Sequence, residues 1–443
     1  MAKKKYTPEE CVEKSFIHYL PIVIVGILIC GVPSAIMNSC AGIYYPVMAE
    51  DFGVPVSQIS LWRTMDYITG VIVTPFAGLW LAKYDVKIII LISAAVESLV
   101  LISFGIVPEV WMLWVGGAIA GVTNAIMLGV AVAAIMNRWF RVSVGLIIGV
   151  CTAFTGFGGM FFTPIGQMLI DSSGWRVSYI TLGVISLVVM VLGVVFLLSS
   201  RPEDRGLLPY GTAREAKKLA ESHEEALVPL RVRPSVARKS ILLVILVLFA
   251  ILINTVCNIN AYFATYVTWY NEQAAVVNGI IMGAFVTGAE LTAFNSAGNA
   301  IGKLGLGIFS DISVSKTLIG LVACGVVGLL MMWLAPNTIL LPIGGVIFGC
   351  FIPGTLVVAP MVVRACFGNG ASYPVIWGYI GCGLGFGGAV GSFFWAVIYE
   401  NLGGFTAAFI IALICMGLVL VLGLIALSMK DKLPRERLTE DDL

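Results

Sequence analysis

The chain has 443 residues, of which 59% are hydrophobic and only 12% are charged. Soluble domains carry about 25% charged residues, so this composition excludes a soluble enzyme, a disordered protein and a nucleic-acid-binding protein. The 26 basic and 25 acidic residues nearly cancel and leave a net charge of +1, which attracts no polyanion. The composition predicts an all-α polytopic membrane protein embedded in a lipid bilayer.

Apolar runs separated by charged residues, glycine, proline or asparagine predict twelve transmembrane helices, each with the roughly 20 residues that a span needs. Residues 1–18 are the predicted N-terminus, with no signal-peptide cleavage site. Two six-helix halves follow at 19–199 and 240–428, separated by a polar loop at 200–239 and followed by a tail at 429–443. The predicted bounds are 19–49, 56–82, 87–107, 110–136, 143–170, 176–199, 240–270, 276–310, 316–334, 339–364, 373–399 and 405–428.

The distribution of charge predicts the orientation of these spans. Residues 200–239 contain nine basic residues, and most of the other basic residues fall on the same side of the predicted membrane. The loops on the opposite side hold acids instead. By the positive-inside rule, both termini and the central loop are expected in the cytoplasm, with the protein in the plasma membrane.

An internal repeat supports the division into halves. The sequence Gly-Phe-Gly-Gly at 156–159 recurs at 385–388, 229 residues later. The same offset carries Gly78 onto Gly307 and Lys87 onto Lys316. A repeat unit with an even number of spans inserts both copies the same way up, which predicts parallel halves.

The segments from Gly78 to Lys87 and from Gly307 to Lys316 resemble the loop motif of the major facilitator superfamily, which follows the second and eighth helices. The second copy keeps Gly307, Asp311 and Lys316. The first copy has Ala82 where the motif has Asp, and Asp85 where the motif has Gly. The resemblance implies the major facilitator fold, with these residues as a conformational motif.

A longer stretch is similar to the monocarboxylate transporter and oxalate/formate antiporter branch of that superfamily. It comprises residues 137–141, the helix that contains Gly145, residues 156–159, Pro164 and residues 174–176. Residues 201–207, from Arg201 to Leu207, also resemble that branch. The resemblance implies an alternating-access carrier of a small organic anion.

Lys303 is the predicted substrate-binding cation. An ionisable group inside a span costs about 2.5–3.5 kcal/mol at the bilayer centre, which marks it as a functional candidate. Lys303 lies eight residues from Asp311, so about 12 Å from the cytoplasmic surface. The family places a cation here that binds the substrate carboxylate. The alternative is a lysine that extends to the interface.

The resemblance also bears on coupling and on charge. Some monocarboxylate carriers have a proton-accepting Asp where this chain has Asn299, which lies on the same face as Lys303. Oxalate/formate carriers have a second basic residue in the eleventh helix, where this chain has none between Arg364 and Glu400. One cation instead of two favours a monocarboxylate over a dicarboxylate.

Four further ionisable residues in the spans are candidates for coupling or gating. Arg63 and Asp66 are three residues apart on one helix face, so they can pair either as a gate or as a static stabilising contact. Glu97 is expected near mid-depth, as a proton site or as a structural hydrogen-bonding group. Glu290 is expected near the outer interface.

Neutral residues complete the predicted site. Asn124, Asn254 and Asn258 are amides in predicted spans, which contact either other helices or the substrate. Trp377 and Tyr379 either pack against an apolar substrate or belong to the helix interface. No C-x-x-C pair occurs among the ten cysteines, and neither a metal nor a cofactor is expected.

The sequence therefore predicts a secondary transporter, not an enzyme, for a small organic anion, and most simply for a monocarboxylate. Either proton symport or anion exchange would offset the membrane potential, which opposes entry of an anion by about 2.3 kcal/mol per 100 mV. The partners are the anion, protons in the symport case, and the bilayer, with a monomer as the functional unit. The alternatives are an exporter of a drug-like, aromatic or steroidal molecule and a non-transporting membrane sensor.

Overall fold

Nearly all of the apolar sequence is helical, as expected for a chain in lipid, where each backbone N–H and C=O must find a partner within the protein. The computed structural model describes residues 11–214, 230–232, 234–277, 283–309, 313–368, 373–430, 432–434 and 436–437. The long helices are α1 (Leu20–Phe52), α2 (Val56–Lys83), α3 (Val86–Phe104), α4 (Val110–Trp139), α5 (Val144–Ser173), α6 (Trp175–Leu197), α7 (Ile241–Gln273), α8 (Gly288–Phe309), α9 (Val314–Leu334), α10 (Leu340–Phe367), α11 (Tyr373–Asn401) and α12 (Gly404–Ser428). Most of the long helices begin and end close to the predicted spans, but the predicted start at 276 is wrong, because residues 283–287 are not helical and α8 begins at Gly288.

Four of these helices are locally irregular. The chain leaves helical geometry in α1 before Pro33, because proline has no N–H to continue the ladder. A π-helical segment occupies Ala125–Ala131 in α4, and 3₁₀ turns occupy Asn258–Tyr262 in α7 and Ile352–Thr355 in α10. Mid-helix 3₁₀ turns and π-helical segments are frequent at hinges and functional sites.

Short elements lie outside the long helices. The strands Leu230–Arg231 and Glu436–Arg437 pair in antiparallel fashion, so the end of the central loop contacts the C-terminal tail. Short helices in the described part of the chain span Phe16–His18, Pro202–Arg205 and Pro234–Arg238.

Among the described residues, ten helices are long and apolar enough to cross a membrane. The predicted spans at 56–82 and 276–310 are not among them, although α2 and α8 occupy most of these positions. Both helices carry charged groups and polar side chains on one face, which lowers their mean hydropathy. The same polar faces make these two helices the most informative about function.

Contacts between helices follow the sequence repeat. A Cβ atom at Gly121 of α4 would collide with the carbonyl oxygen of Asp66 in α2, and one at Gly349 of α10 would collide with that of Asn295 in α8. Offsets of 228 and 229 residues relate the two crossings. Because both positions are glycine and carry no side chain, the helix backbones can approach closely.

The same offset relates two further crossings. A Cβ atom at Gly156 of α5 would lie 2.6 Å from the backbone nitrogen of Ala300 in α8. The equivalent atom at Gly385 of α11 would collide with the side chain of Val71 in α2. Helix α5 therefore crosses α8 as α11 crosses α2, with each pair shifted by 229 positions.

Several contacts join α1 and α2 to α7 and α11 near the turn at 53–55, where Gly53 adopts a left-handed conformation and ends α1. The backbone nitrogen of Ser57 donates to Glu400 Oε1 at 2.9 Å. The hydroxyls of Thr64 and Ser392 are 2.9 Å apart. We call the side of the bundle that contains this turn and these contacts the turn-53 face.

Candidate functional site

A polar face runs along α8 and ends at Lys303. Its residues recur every three or four positions, so they share one side of the helix. The opposite side exposes apolar side chains such as Ile301, as expected for a surface in lipid. The buried polar residues on α8 are Thr292, Asn295, Ser296, Asn299 and Lys303.

The Lys303 ammonium is buried against α5, with 7% of the residue exposed. Its Nζ donates to the carbonyl oxygen of Thr152 at 3.1 Å and to the hydroxyl of Thr155. The lysine side chain therefore extends to the neighbouring helix. It does not extend to the membrane interface, as the alternative interpretation of Lys303 requires. The glycine at 156 permits this geometry, because α5 and α8 come into backbone contact one residue beyond Thr155.

No described carboxylate lies within ion-pair distance of Lys303. The ion pairs among the described residues are Arg63 with Asp66 and Arg176 with Asp51. The partners of Lys303 are a backbone carbonyl and a hydroxyl, both neutral. A buried charge without an opposite charge is costly, so an anion bound beside the ammonium would relieve an unfavourable state.

Asn299 and Asn295 belong to the same polar face. The Oδ1 atom of each is buried and has no hydrogen-bond partner among the described residues. Buried amide oxygens normally accept a hydrogen bond. These two atoms are therefore free to accept a hydrogen bond from a bound molecule or from water.

A second polar cluster joins α2, α4 and α1. Arg63 pairs with Asp66 at 2.7 Å, and Asp66 accepts a hydrogen bond from the Asn124 amide at 2.9 Å. Asn38 of α1 donates to Asn124 at 3.4 Å. The guanidinium of Arg63 also lies over the ring of Tyr67, 5.1 Å from its centroid. Asn124 thus belongs to the Asp66 cluster, and no described contact joins it to Lys303.

Glu97 on α3 is completely buried, with 0% of the residue exposed. Neither of its carboxyl oxygens has a hydrogen-bond donor among the described residues. The nearby groups that act on it electrostatically are Asp66 and Arg63, and Thr123 of α4 also faces it. Glu97 is therefore adjacent to the Asp66 cluster without a direct bond to it.

Of the two amides of α7, Asn254 bonds to a neighbouring helix and Asn258 bonds within α7. Asn254 donates to the carbonyl oxygen of Leu384 in α11 at 2.6 Å. Asn258 donates to the backbone carbonyl of Asn254 at 2.8 Å, which confirms that the two amides share a helix face. The structure places neither amide in hydrogen-bond contact with Lys303.

The aromatic candidates and Glu290 lie elsewhere. Trp377 stacks on Tyr373 with ring centroids 6.1 Å apart, and Tyr379 is 39% exposed. Glu290 accepts hydrogen bonds from the backbone nitrogen of Thr287 at 2.8 Å and from its hydroxyl at 3.0 Å. Glu290 therefore caps the first turn of α8, a local role that is common for Glu three residues after Thr.

The first copy of the loop motif is built around the start of α3. Asp85 accepts a hydrogen bond from the backbone nitrogen of Lys87 at 2.8 Å, and Lys87 Nζ donates to the carbonyl of Val195 in α6 at 2.6 Å. Gly78 is exposed and has open space beside it. In the second copy, Gly307 is in α8 and Lys316 is exposed on α9, whereas Asp311 lies outside the described residues.

Sequence reasoning missed the partners that define both clusters. Thr152 and Thr155 bind Lys303, and Asn38 binds Asn124. Only Thr155 carried a signal, because it directly precedes the repeated glycine motif. Within the described residues, no group of His, Cys, Asp and Glu has the arrangement of a metal site.

Comparisons with known proteins agree with this architecture. A family model described as Major Facilitator Superfamily matches residues 27–295. The uncharacterized MFS-type transporter YcxA of Bacillus subtilis (strain 168) is 25% identical over 156 residues, which are 35% of this chain and 38% of that protein. The MFS-type transporter pynF of Aspergillus niger is 32% identical over 87 residues, 20% of each chain. The matches thus span less than two fifths of each relative.

Two solved structures share the fold over nearly the whole chain. The crystal structure of the nucleoside transporter NupG has a TM-score of 0.68, with 14% identity over 94% of this chain and 99% of that one. A mutant of NupG gives the same TM-score, with 13% identity over 93% and 99%. Because the family model covers more than half of its length, this chain belongs to the Major Facilitator Superfamily and is a multi-pass membrane transporter rather than an enzyme.

Proposed function

We propose that this chain is a secondary active transporter that moves a small organic anion, most simply a monocarboxylate, by alternating access. The observation that carries the proposal is the buried Lys303 ammonium, whose described partners, Thr152 and Thr155, are both neutral. A carboxylate would supply the missing negative charge. A single ammonium acts as a point charge and suits one carboxylate group.

The amide oxygens of Asn295 and Asn299, which have no hydrogen-bond partner in the described part of the chain, support this location. They lie on the same face of α8 as Lys303, so a molecule beside the ammonium would be within reach of at least one of them. The similarity of residues 137–176 to the monocarboxylate transporter and oxalate/formate antiporter branch favours the same substrate class.

The proposed architecture is twelve spans in two parallel six-helix halves, α1–α6 and α7–α12. The paired crossings support it, because the contact of Gly156 with Ala300 and that of Gly385 with Val71 are related by one offset. The distribution of basic residues supports cytoplasmic termini in a plasma-membrane protein. This orientation places the turn-53 face outside.

Alternating access then requires the contacts at the turn-53 face to break and re-form. Ser57 with Glu400 and Thr64 with Ser392 join the two halves at this face. We assign the present conformation to the state that is closed to the outside. Rocking of the halves would break these contacts and open a path from the outside to the buried Lys303.

The proposal includes compensation for the charge of the anion. An anion that enters alone works against the membrane potential by about 2.3 kcal/mol per 100 mV. Symport with a proton removes the net charge, and exchange for a second anion cancels it. Both schemes are compatible with Lys303 as the binding cation.

The proposal is tested by ligand-induced thermal stabilisation of the purified protein. The probes are acetate, pyruvate, lactate, benzoate, oxalate and malonate, with uridine and a neutral aromatic amide as uncharged probes. A ligand that binds the folded state raises the melting temperature by mass action. We expect a monocarboxylate to stabilise the wild type and the Lys239→Ala control, whose lysine is exposed, but not Lys303→Ala.

Two results would contradict the proposal. Stabilisation by uncharged probes alone, equal in wild type and Lys303→Ala, would make Lys303 structural and favour an exporter or a carrier of neutral molecules. Stabilisation by oxalate or malonate in preference to every monocarboxylate would replace the substrate class with dicarboxylates.

A further inference from the structure

Glu97 is a buried acid that the proposed anion site does not use. It lies near the middle of α3, is 0% exposed, and has no hydrogen-bond donor on either oxygen among the described residues. A polar side chain in this position is unusual, because buried polar groups almost always have partners. Its presence therefore calls for a role other than packing.

The groups around Glu97 do not neutralise a negative charge on it. Arg63 of α2 lies nearby, but it is already paired with Asp66 at 2.7 Å. The Thr123 hydroxyl of α4 faces Glu97 and donates to the carbonyl of Ala120 at 2.9 Å, and a neutral hydroxyl supplies no positive charge. Asp66 adds a second acid in the same region.

Among the described residues, the other helices packed against α3 also place no counter-charge beside Glu97. Ser98 of α3 and Ser186 of α6 bind each other at 2.8 Å. The charged residues of α1 and α6, Glu50, Asp51 and Arg176, lie at the turn-53 ends of these helices, and Arg176 pairs with Asp51 at 3.0 Å.

Two neighbouring acids thus occupy opposite environments. Asp66 has a guanidinium and an amide donor, which stabilise an ionised carboxylate. Glu97 has neither, and an ionised carboxylate without donors in an apolar interior costs several kcal/mol. The surroundings of Glu97 therefore favour the neutral carboxylic acid over the ionised carboxylate.

We infer that Glu97 binds the proton that crosses the membrane with the anion. This inference rests on the proposed function and selects symport over exchange. The Glu97 carboxylate takes a proton from water on one side of the membrane, and the neutral acid releases it to water on the other side. With a monocarboxylate at Lys303, the transported pair carries no net charge, so the membrane potential does not oppose entry.

The test measures uptake of the monocarboxylate chosen by the thermal screen into proteoliposomes, in two modes. The first is accumulation driven by an imposed pH gradient, and the second is counterflow at equal pH against unlabelled anion inside. We expect Glu97→Gln to lose gradient-driven accumulation and retain counterflow. Glu97→Asp keeps a carboxyl group and should retain both. Glu290→Gln is the matched control, because Glu290 is an exposed helix cap on α8.

An infrared difference spectrum supplies a second measurement. We expect a protonated-carboxyl band to shift in wild type and Glu290→Gln when the anion is added, and the shift to be absent in Glu97→Gln. A purely structural role for Glu97 would produce no ligand-dependent band.

Each of the following outcomes overturns the inference about Glu97. They also show whether the proposed function fails with it. If Glu97→Gln accumulates the anion like wild type, Glu97 does not bind the coupled proton. If both Glu97→Gln and Glu97→Asp lose gradient-driven accumulation and counterflow, Glu97 is structural. If wild type shows counterflow but no gradient-driven accumulation, the protein is an exchanger and only the proton inference fails. If wild type shows neither mode with any monocarboxylate, the proposed function fails as well.

Discussion

Glu400, near the end of α11, accepts a hydrogen bond at 2.9 Å from the backbone nitrogen of Ser57, in the first turn of α2. The first turn of a helix has N–H groups without intrahelical partners, and its dipole favours a negative charge. Glu400 therefore caps a helix that lies more than 300 residues away in sequence. The contact joins the two proposed halves at the turn-53 face.

Loss of this contact should loosen the start of α2. In Glu400→Ala, we expect amide hydrogen exchange at Ser57 to accelerate about fivefold, as follows from a net hydrogen-bond contribution of about 1 kcal/mol. Hydrogen exchange of peptides that contain residues 54–62 measures the effect. Glu109→Ala serves as control, because Glu109 is exposed and makes no side-chain cap. Unchanged exchange at Ser57 would show that the contact does not hold the turn-53 face closed.

Gly156 allows α5 and α8 to approach within backbone contact. An alanine Cβ here would lie 2.5 Å from the Ser296 carbonyl oxygen and 2.6 Å from the Ala300 nitrogen, neither of which can rotate away. We expect Gly156→Ala to lower the free energy of unfolding by about 1–3 kcal/mol, measured as thermal unfolding in detergent. Gly149→Ala is the control, since nothing lies within 4 Å of that position. Equal melting temperatures for the two variants would contradict the close crossing.

The repeat explains why part of this structure could be predicted from the sequence. Gly156 and Gly385 stand out because they are in copies of one motif, and Lys303 stands out because lysine is rare inside a span. The helix bounds follow from the apolar runs, since lipid excludes unpaired backbone.

The partners of the charged residues could not be predicted in the same way. Thr155 and Asn38 are ordinary residues for membrane helices, and their contacts depend on how each helix is rotated against its neighbours. Glu290 shows the opposite case. An acid in a predicted span was a gating candidate, whereas the structure gives it a capping contact with Thr287.

The Arg63–Asp66 pair is buried, with side-chain exposures of 11% and 6%. Removal of one partner should leave an uncompensated charge and destabilise the protein by about 3 kcal/mol or more. We therefore expect Asp66→Asn and Arg63→Gln each to lower the melting temperature strongly. The double variant should recover much of the loss, because no charge then remains unpaired. Additive losses in a double-mutant cycle would show that the two residues act independently.

The Arg176–Asp51 pair provides the contrasting case. Its side chains are 39% and 46% exposed, and surface ion pairs contribute about 0–1 kcal/mol. We expect Asp51→Asn to change stability by less than about 1 kcal/mol, and the change to shrink as salt is raised. Thermal unfolding at low and high ionic strength measures both effects. A loss as large as that of Asp66→Asn would mean that the Trp175 contact to Asp51, at 3.2 Å, makes the site structurally essential.

Lys303 should reduce the stability of the protein when no anion is bound. Its ammonium is buried, its partners among the described residues are neutral, and even a buried ion pair can often be replaced by apolar groups of similar volume with a gain of about 1–4 kcal/mol. We expect Lys303→Met to raise the melting temperature of the ligand-free protein and to abolish stabilisation by monocarboxylates. Wild type and Lys239→Met are compared in the same detergent. A lower melting temperature for ligand-free Lys303→Met would show that the hydrogen bonds to Thr152 and Thr155 outweigh the cost of burial. Lys303 would then also be a structural link between α8 and α5.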